Sequence, residues 1–156
     1  MARHILERNP SISYEGLDFS EVFFEVARKT IGPFMPRVRL TKADLMEPTW
    51  PGAISTQPGA IISTWALHDL GSPQAVADVY ARCYETLPKG GVLVNGGFIK
   101  PDGTTWTYEP GRFAIDQHLE FMRHAGFADP MLLASYELNT DTPTAAQNYA
   151  CLMAVR

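Results

Sequence analysis

The chain is poor in cysteine, with Cys83 and Cys151 alone among 156 residues. Two cysteines cannot build a disulfide scaffold, and these two lie too far apart in sequence for a metal motif. Their apolar neighbours predict buried thiols in a reducing compartment. No run approaches the roughly 18 apolar residues that span a bilayer. The opening segment, Met1-Ala2-Arg3-His4-Ile5-Leu6-Glu7-Arg8, holds no apolar stretch of the secretory kind, so no signal peptide is expected. Charge of one sign is scarce too. Seventeen acidic and thirteen basic residues give a net charge of −4, which argues against a basic nucleic-acid face. Repeats, linkers and low-complexity tracts are missing. What remains is ordinary globular composition, 46% apolar and 19% charged, at a length that suits one domain. These features predict a soluble, cytoplasmic, single-domain protein with neither membrane nor nucleic acid as partner.

The elements alternate. Residues 12–18 read as a short strand. Ser20 offers a helix N-cap and Glu21 stands in the first turn. Val22, Phe23, Val26, Ala27 and Ile31 then recur at helical spacing, and Gly32-Pro33 ends the pattern. Residues 36–42 and 59–64 read as strands, the first nearer an edge. Ser72-Pro73 is an N-cap followed by proline at the first helical position. Val76, Val79, Tyr80, Cys83 and Leu87 form one apolar face, closed by Lys89-Gly90-Gly91. Val92-Leu93-Val94 is apolar on both faces, as in a central parallel strand. Residues 113–125 predict a further amphipathic helix closed by Gly126. Residues 131–138 and 147–155 predict two last strands joined by the short Asn139-to-Thr144 loop. The predicted class is α/β: a doubly wound, mostly parallel sheet with a C-terminal antiparallel hairpin.

In open α/β sheets ligands bind beyond the carboxyl ends of the strands. The first strand is followed by Gly16-Leu17-Asp18-Phe19-Ser20, and an acid there can accept both hydroxyls of a ribose. The second is followed by Lys42-Ala43-Asp44-Leu45, where an acid can hold an adenine amino group. The third is followed by Ser63-Thr64-Trp65-Ala66-Leu67-His68-Asp69-Leu70. Singly, each has a plain reading: an Asp closing a strand is often a turn former or a cap. Residues 43–81 contain no Lys or Arg but carry Asp44, Glu47, Asp69 and Asp78. That is either a solvated acidic face or a local field suited to a cationic ligand.

In this order and spacing, the runs Gly16–Ser20, Ala43-Asp44-Leu45, Ser63–Leu70, Leu87-Pro88-Lys89-Gly90-Gly91 and Arg123-His124-Ala125-Gly126-Phe127 resemble the class I S-adenosylmethionine-dependent methyltransferases of small-molecule type. The resemblance covers essentially the whole chain and implies a truncated Rossmann-like fold. It makes S-adenosylmethionine the cofactor, with contacts at Asp18, Phe19, Asp44, Leu45, Thr64, Trp65 and Ala66. A small molecule would be the methyl acceptor. Two departures stand out. The family usually writes Lys-Pro-Gly-Gly where this chain has Pro88-Lys89-Gly90-Gly91, and no G-x-G loop precedes Asp18. Residues 2–9 look like the last turns of the helix that should follow that loop. In the family the missing strand is central, between the strands of residues 12–18 and 59–64. Its absence predicts either direct pairing of those two strands or a homodimer that repairs the gap.

His68 lies beside the expected cleft and is the candidate general base; the other reading of the residues is a histidine that packs or caps the turn before Ser72. His118 and His124 fall on the late helix, where surface exposure is expected. Trp65, Trp106 and Tyr108 can line an acceptor pocket, face a sulfonium or simply pack. Asp102-Gly103 reads as a turn, and the segment to Arg112 as a lid. The histidines and acids show no metal-ligand spacing. Three readings stand: a methyltransferase, a truncated form of one, or a non-catalytic relative that serves as a binding or dimerisation module. A nicotinamide dehydrogenase lacks its G-x-G-x-x-G loop here, and a nucleophilic hydrolase its G-x-S-x-G elbow.

Overall fold

A computed structural model describes the chain except for residues 102–103, 105–109 and 137–147. The expected turn at Asp102-Gly103, Trp106, Tyr108 and the loop from Asn139 to Thr144 therefore lie outside the described residues. The chain divides into two compact units, Met1–Thr56 and Gln57–Arg156.

The first unit holds helix α1 (Ala2–Arg8), strand β1 (Tyr14–Asp18), helix α2 (Glu21–Ile31) and strand β2 (Val38–Lys42). Strands β1 and β2 run parallel, in register from Tyr14↔Val38 to Asp18↔Lys42. Leu6, Phe24, Ile31 and Trp50 are its buried apolar residues. The Arg37 guanidinium donates to the carbonyls of Leu6, Asn9 and Ile12, which ties the end of α1 to the start of β2. Ser20 occupies the N-cap of α2 in extended backbone, but its side chain makes no capping bond. Asp18 Oδ1 accepts from the Ser20 N–H at 2.8 Å. Gly32-Pro33 ends the α-helix as expected, and one 3-10 stretch, Gly32–Arg37, leads into β2. Four large apolar side chains on and before α2, Phe19, Val22, Phe23 and Val26, are exposed.

The second unit holds β3 (Ala60–Thr64), α3 (Pro73–Thr86), β4 (Val92–Phe98), α4 (Ile115–His124), β5 (Ala128–Tyr136) and β6 (Tyr149–Val155). Its sheet has the order β3-β4-β6-β5. Strands β3 and β4 are parallel, whereas β6 runs antiparallel to both β4 and β5. The final hairpin thus forms as expected, with irregularities between Ala128 and Met131 and between Leu132 and Ala134. Ser72 caps α3, its Oγ accepting from the Ala75 N–H at 3.1 Å, and Pro73 takes the first helical position. Val76, Val79, Tyr80 and Cys83 then bury one face of α3, and Leu87 follows them into the core. Each such side chain, once fully buried, contributes roughly 1.5–3 kcal/mol. Helix α4 ends where Gly126 adopts φ +105°, and a Cβ there would meet the Tyr84 ring at 2.9 Å. Only glycine satisfies both conditions.

The class is α/β, with sheets of parallel and antiparallel strands. One expectation fails. Among the described residues β1 pairs only with β2, and β3 only with β4, so the direct pairing of β1 with β3 is not what the structure has. A parallel pair needs matched length, direction and a crossover that delivers both edges together. Each strand keeps an edge without a ladder among the described residues. Among the described residues no helix is long and apolar enough to cross a membrane.

Candidate functional site

The residues marked by the sequence fall into two groups, one in each unit. In the first, Asp18 and Asp44 follow adjacent parallel strands at their carboxyl ends. The Asp18 carbonyl accepts from the Ala43 N–H at 3.0 Å, which joins the two exits. Asp18 Oδ1 accepts from the Ser20 N–H, so the acid does form a turn. Its Oδ2 has no hydrogen-bond partner among the described residues. Asp44 Oδ1 accepts from the Met46 N–H at 2.9 Å, and its carbonyl from the Glu47 N–H at 3.0 Å, a second turn. Asp44 and Phe19 are exposed and Leu45 is half-buried. Both acids therefore present carboxylate oxygen at one end of one parallel pair, which fits the hydroxyl and amino groups of a nucleoside.

Glu15, on β1, is spoken for by structure. Burial pushes its carboxyl up, but bonds from Ser55 and Thr41 and the Arg39 charge outweigh that and leave it below the usual carboxylate range.

In the second unit Thr64 ends β3 opposite Gly96. Trp65 follows with φ +55°, a left-handed conformation that costs a residue with a side chain about 1–3 kcal/mol. Its N–H donates to the Gly96 carbonyl at 2.9 Å, and its ring stacks on Phe98 with centroids 5.9 Å apart. Those two contacts hold the strained residue while the indole stays 62% exposed. Ala66 leads into a single 3-10 turn, Leu67–Leu70, which carries His68. The His68 side chain is 12% exposed, with Nε2 3.3 Å from Asp69 Oδ1. Its ring stands at 84° to Phe98, with centroids 4.8 Å apart. The histidine thus packs, as one of the two sequence readings had it, and it does so at the mouth of β3 and β4.

Sequence reasoning missed Phe98, Gly111 and Arg112. The Arg112 guanidinium lies 4.7 Å from the Phe98 ring centroid, and Gly111 sits against the His68 backbone. The Pro110-Gly111-Arg112 run was visible only as the tail of an expected lid.

His118 corrects an expectation: it is buried, not exposed. Its Nδ1 is hydrogen-bonded to the Tyr80 hydroxyl at 2.8 Å, and that hydroxyl accepts from Asn95 Nδ2 at 3.0 Å. Burial lowers the His118 pKa to about 4. The periodicity carried the signal, because Ile115, His118, Leu119 and Met122 fall on one helical stripe. His124 is exposed as expected.

No protein-family model and no curated protein matches the chain. Solved structures do. An O-methyltransferase family protein from Burkholderia thailandensis aligns with TM-score 0.75 and 16% identity, over 99% of this chain and 47% of that one. Human N-acetylserotonin methyltransferase in complex with SAM aligns with TM-score 0.68 and 15% identity, over 99% of this chain and 44% of that one. The fold is that of the class I methyltransferases. The chain spans less than half the length of these two methyltransferases. The methyltransferase fold also serves other chemistry. The cyclase SpnF matches with TM-score 0.69 and 17% identity, over 99% of this chain and 69% of its own. Function on this methyltransferase fold is therefore argued from the residues at the strand ends.

Proposed function

We propose that the chain is an S-adenosylmethionine-dependent methyltransferase of small-molecule type, or the cofactor-binding part of one. The observation that carries the reading is the pair of acids, Asp18 and Asp44, leaving adjacent parallel strands of a methyltransferase fold. Asp18, with Phe19 beside it, would take the ribose, and Asp44 with Leu45 the adenine side. The resemblance also gives Thr64, Trp65 and Ala66 as cofactor contacts. The cofactor supplies an electrophilic methyl group on a sulfonium. His68 would take the proton from the attacking group of the acceptor. Most of the remaining catalysis would come from holding acceptor and methyl group in line.

The 156 residues would act as one methyltransferase-like domain. The unpaired edges of β1 and β3 favour a homodimer that covers them. A cytoplasmic setting accords with Cys83 and Cys151, both free thiols, of which burial pushes Cys83 up to about 12 and so keeps it unreactive.

The test is transfer of label. The chain is incubated with S-adenosylmethionine carrying a labelled methyl group and a panel of small hydroxyl- and amine-bearing acceptors. Label should reach at least one acceptor, and His68→Gln should lower kcat by roughly 10²–10⁴ with little change in KM. Label that stays on the cofactor with every acceptor contradicts the reading.

A further inference from the structure

We infer that Arg112, acting through Phe98, is a positioning residue that sets the orientation of the His68 ring. The significance of this rests on the reading of His68 as the base. The geometry itself does not.

His68 stands on a 3-10 turn of four residues, with Asp69 N–H to Ala66 C=O at 3.3 Å as its internal bond. So short a turn fixes a backbone poorly and a side-chain torsion hardly at all. The Asp69 carboxylate beside the imidazole is 73% exposed at the side chain, and ion pairs at such exposure are weak in water.

The segment that ends at Arg112 supplies two supports. Gly111 packs so closely that a Cβ there would fall 2.2 Å from the His68 carbonyl oxygen. Arg112 follows it, only 4% exposed, and lays its guanidinium over Phe98. Phe98 then meets the His68 ring at right angles and the Trp65 ring face to face. A cation over an aromatic face is held more strongly when it is desolvated. It fixes Phe98 in place, and the Phe98 ring leaves the imidazole one comfortable tilt. A lysine would not substitute, because the stacking belongs to the flat guanidinium and an ammonium is a strongly hydrated point charge.

The test reads the imidazole directly, by the proton NMR signals of the four histidines, each assigned by replacement with glutamine. In the unaltered chain the His68 signal should be displaced from that of an exposed histidine by the Phe98 ring. Arg112→Lys and Phe98→Leu should each move it back toward the exposed position. Phe98→Tyr, which keeps the ring, should leave it in place. His118, held separately by Tyr80, is the internal control and should not move. A His68 signal unchanged in Arg112→Lys overturns the proposal. So does a His118 signal displaced along with it, since Arg112 would then be a general support of the core. The signals are read without cofactor or acceptor, so this outcome is independent of whether methyl transfer is found.

Discussion

Replacing Gly111 by alanine is expected to destabilise the second unit by about 3 kcal/mol or more. The added Cβ would fall 2.2 Å from the His68 carbonyl oxygen, 2.7 Å from its carbonyl carbon and 2.9 Å from its Cα. All three are backbone atoms, so no side-chain rotation relieves the overlap. Either the His68 turn or the 111–112 segment must shift. Overpacking of this kind typically costs 1–3 kcal/mol, and a backbone-on-backbone clash belongs at the top of that range. For a chain of this size the loss corresponds to a fall of roughly 10 °C in Tm. Gly52→Ala is the control, because a Cβ there meets nothing within 4 Å. Thermal unfolding of both variants decides the matter. Equal melting temperatures would mean that the segment does not press on the His68 turn.

The second large effect is on pH dependence. His118 is buried, and its pKa falls from 6.5 to about 4 because burial disfavours the charged ring. The unfolded chain therefore binds a proton between those values that the folded chain refuses. Stability from this group is fully present above pH 6.5 and is lost as pH falls toward 4. The shift is worth about 3 kcal/mol over that window. Two carboxyls with lowered pKa, Glu7 and Glu15, act in the same direction but only from about pH 4.5 downward. Urea midpoints taken from pH 7 to pH 5 sample this window, and comparison with His118→Gln gives the share that belongs to the histidine. His118→Gln keeps an acceptor for the Tyr80 hydroxyl and removes the titration, so its midpoint should vary much less with pH. The same slope in both proteins would contradict the burial of His118. Tyr80→Phe attacks the same network from its centre. It leaves His118 Nδ1 and Asn95 Nδ2 without the hydroxyl that bonds both, at roughly 1–3 kcal/mol for each buried group left unpaired.

Local chemistry made much of the fold legible. Ser72-Pro73 marked the start of α3 to the residue, because a hydroxyl cap and a fixed proline φ act within one turn. The same logic placed Ser20 at the N-cap of α2, where it stands, although its hydroxyl makes no capping bond. Strand β4 runs on to Phe98, past the apolar Val92-Leu93-Val94, because Asn95 finds a buried partner in Tyr80. A polar residue in a strand announces no such partner. The places of Asp18 and Asp44 at the ends of β1 and β2 were legible because the order of elements fixes where each strand stops. His118 was misjudged because residue type was weighed above its position in the stripe. Phe98, Gly111 and Arg112 were illegible for a different reason. They come together around His68 only through the fold, from 30 to 44 positions away in the sequence.

The central claim is that the acids at the ends of β1 and β2 hold a nucleoside cofactor, and calorimetric titration with S-adenosylhomocysteine tests it most directly. The account predicts saturable binding to the chain and a clear weakening, about tenfold or more, in Asp18→Ala, as expected when a charge-assisted hydrogen bond worth about 1.5–3 kcal/mol is removed. No heat at millimolar ligand, or binding that Asp18→Ala leaves untouched, would contradict it.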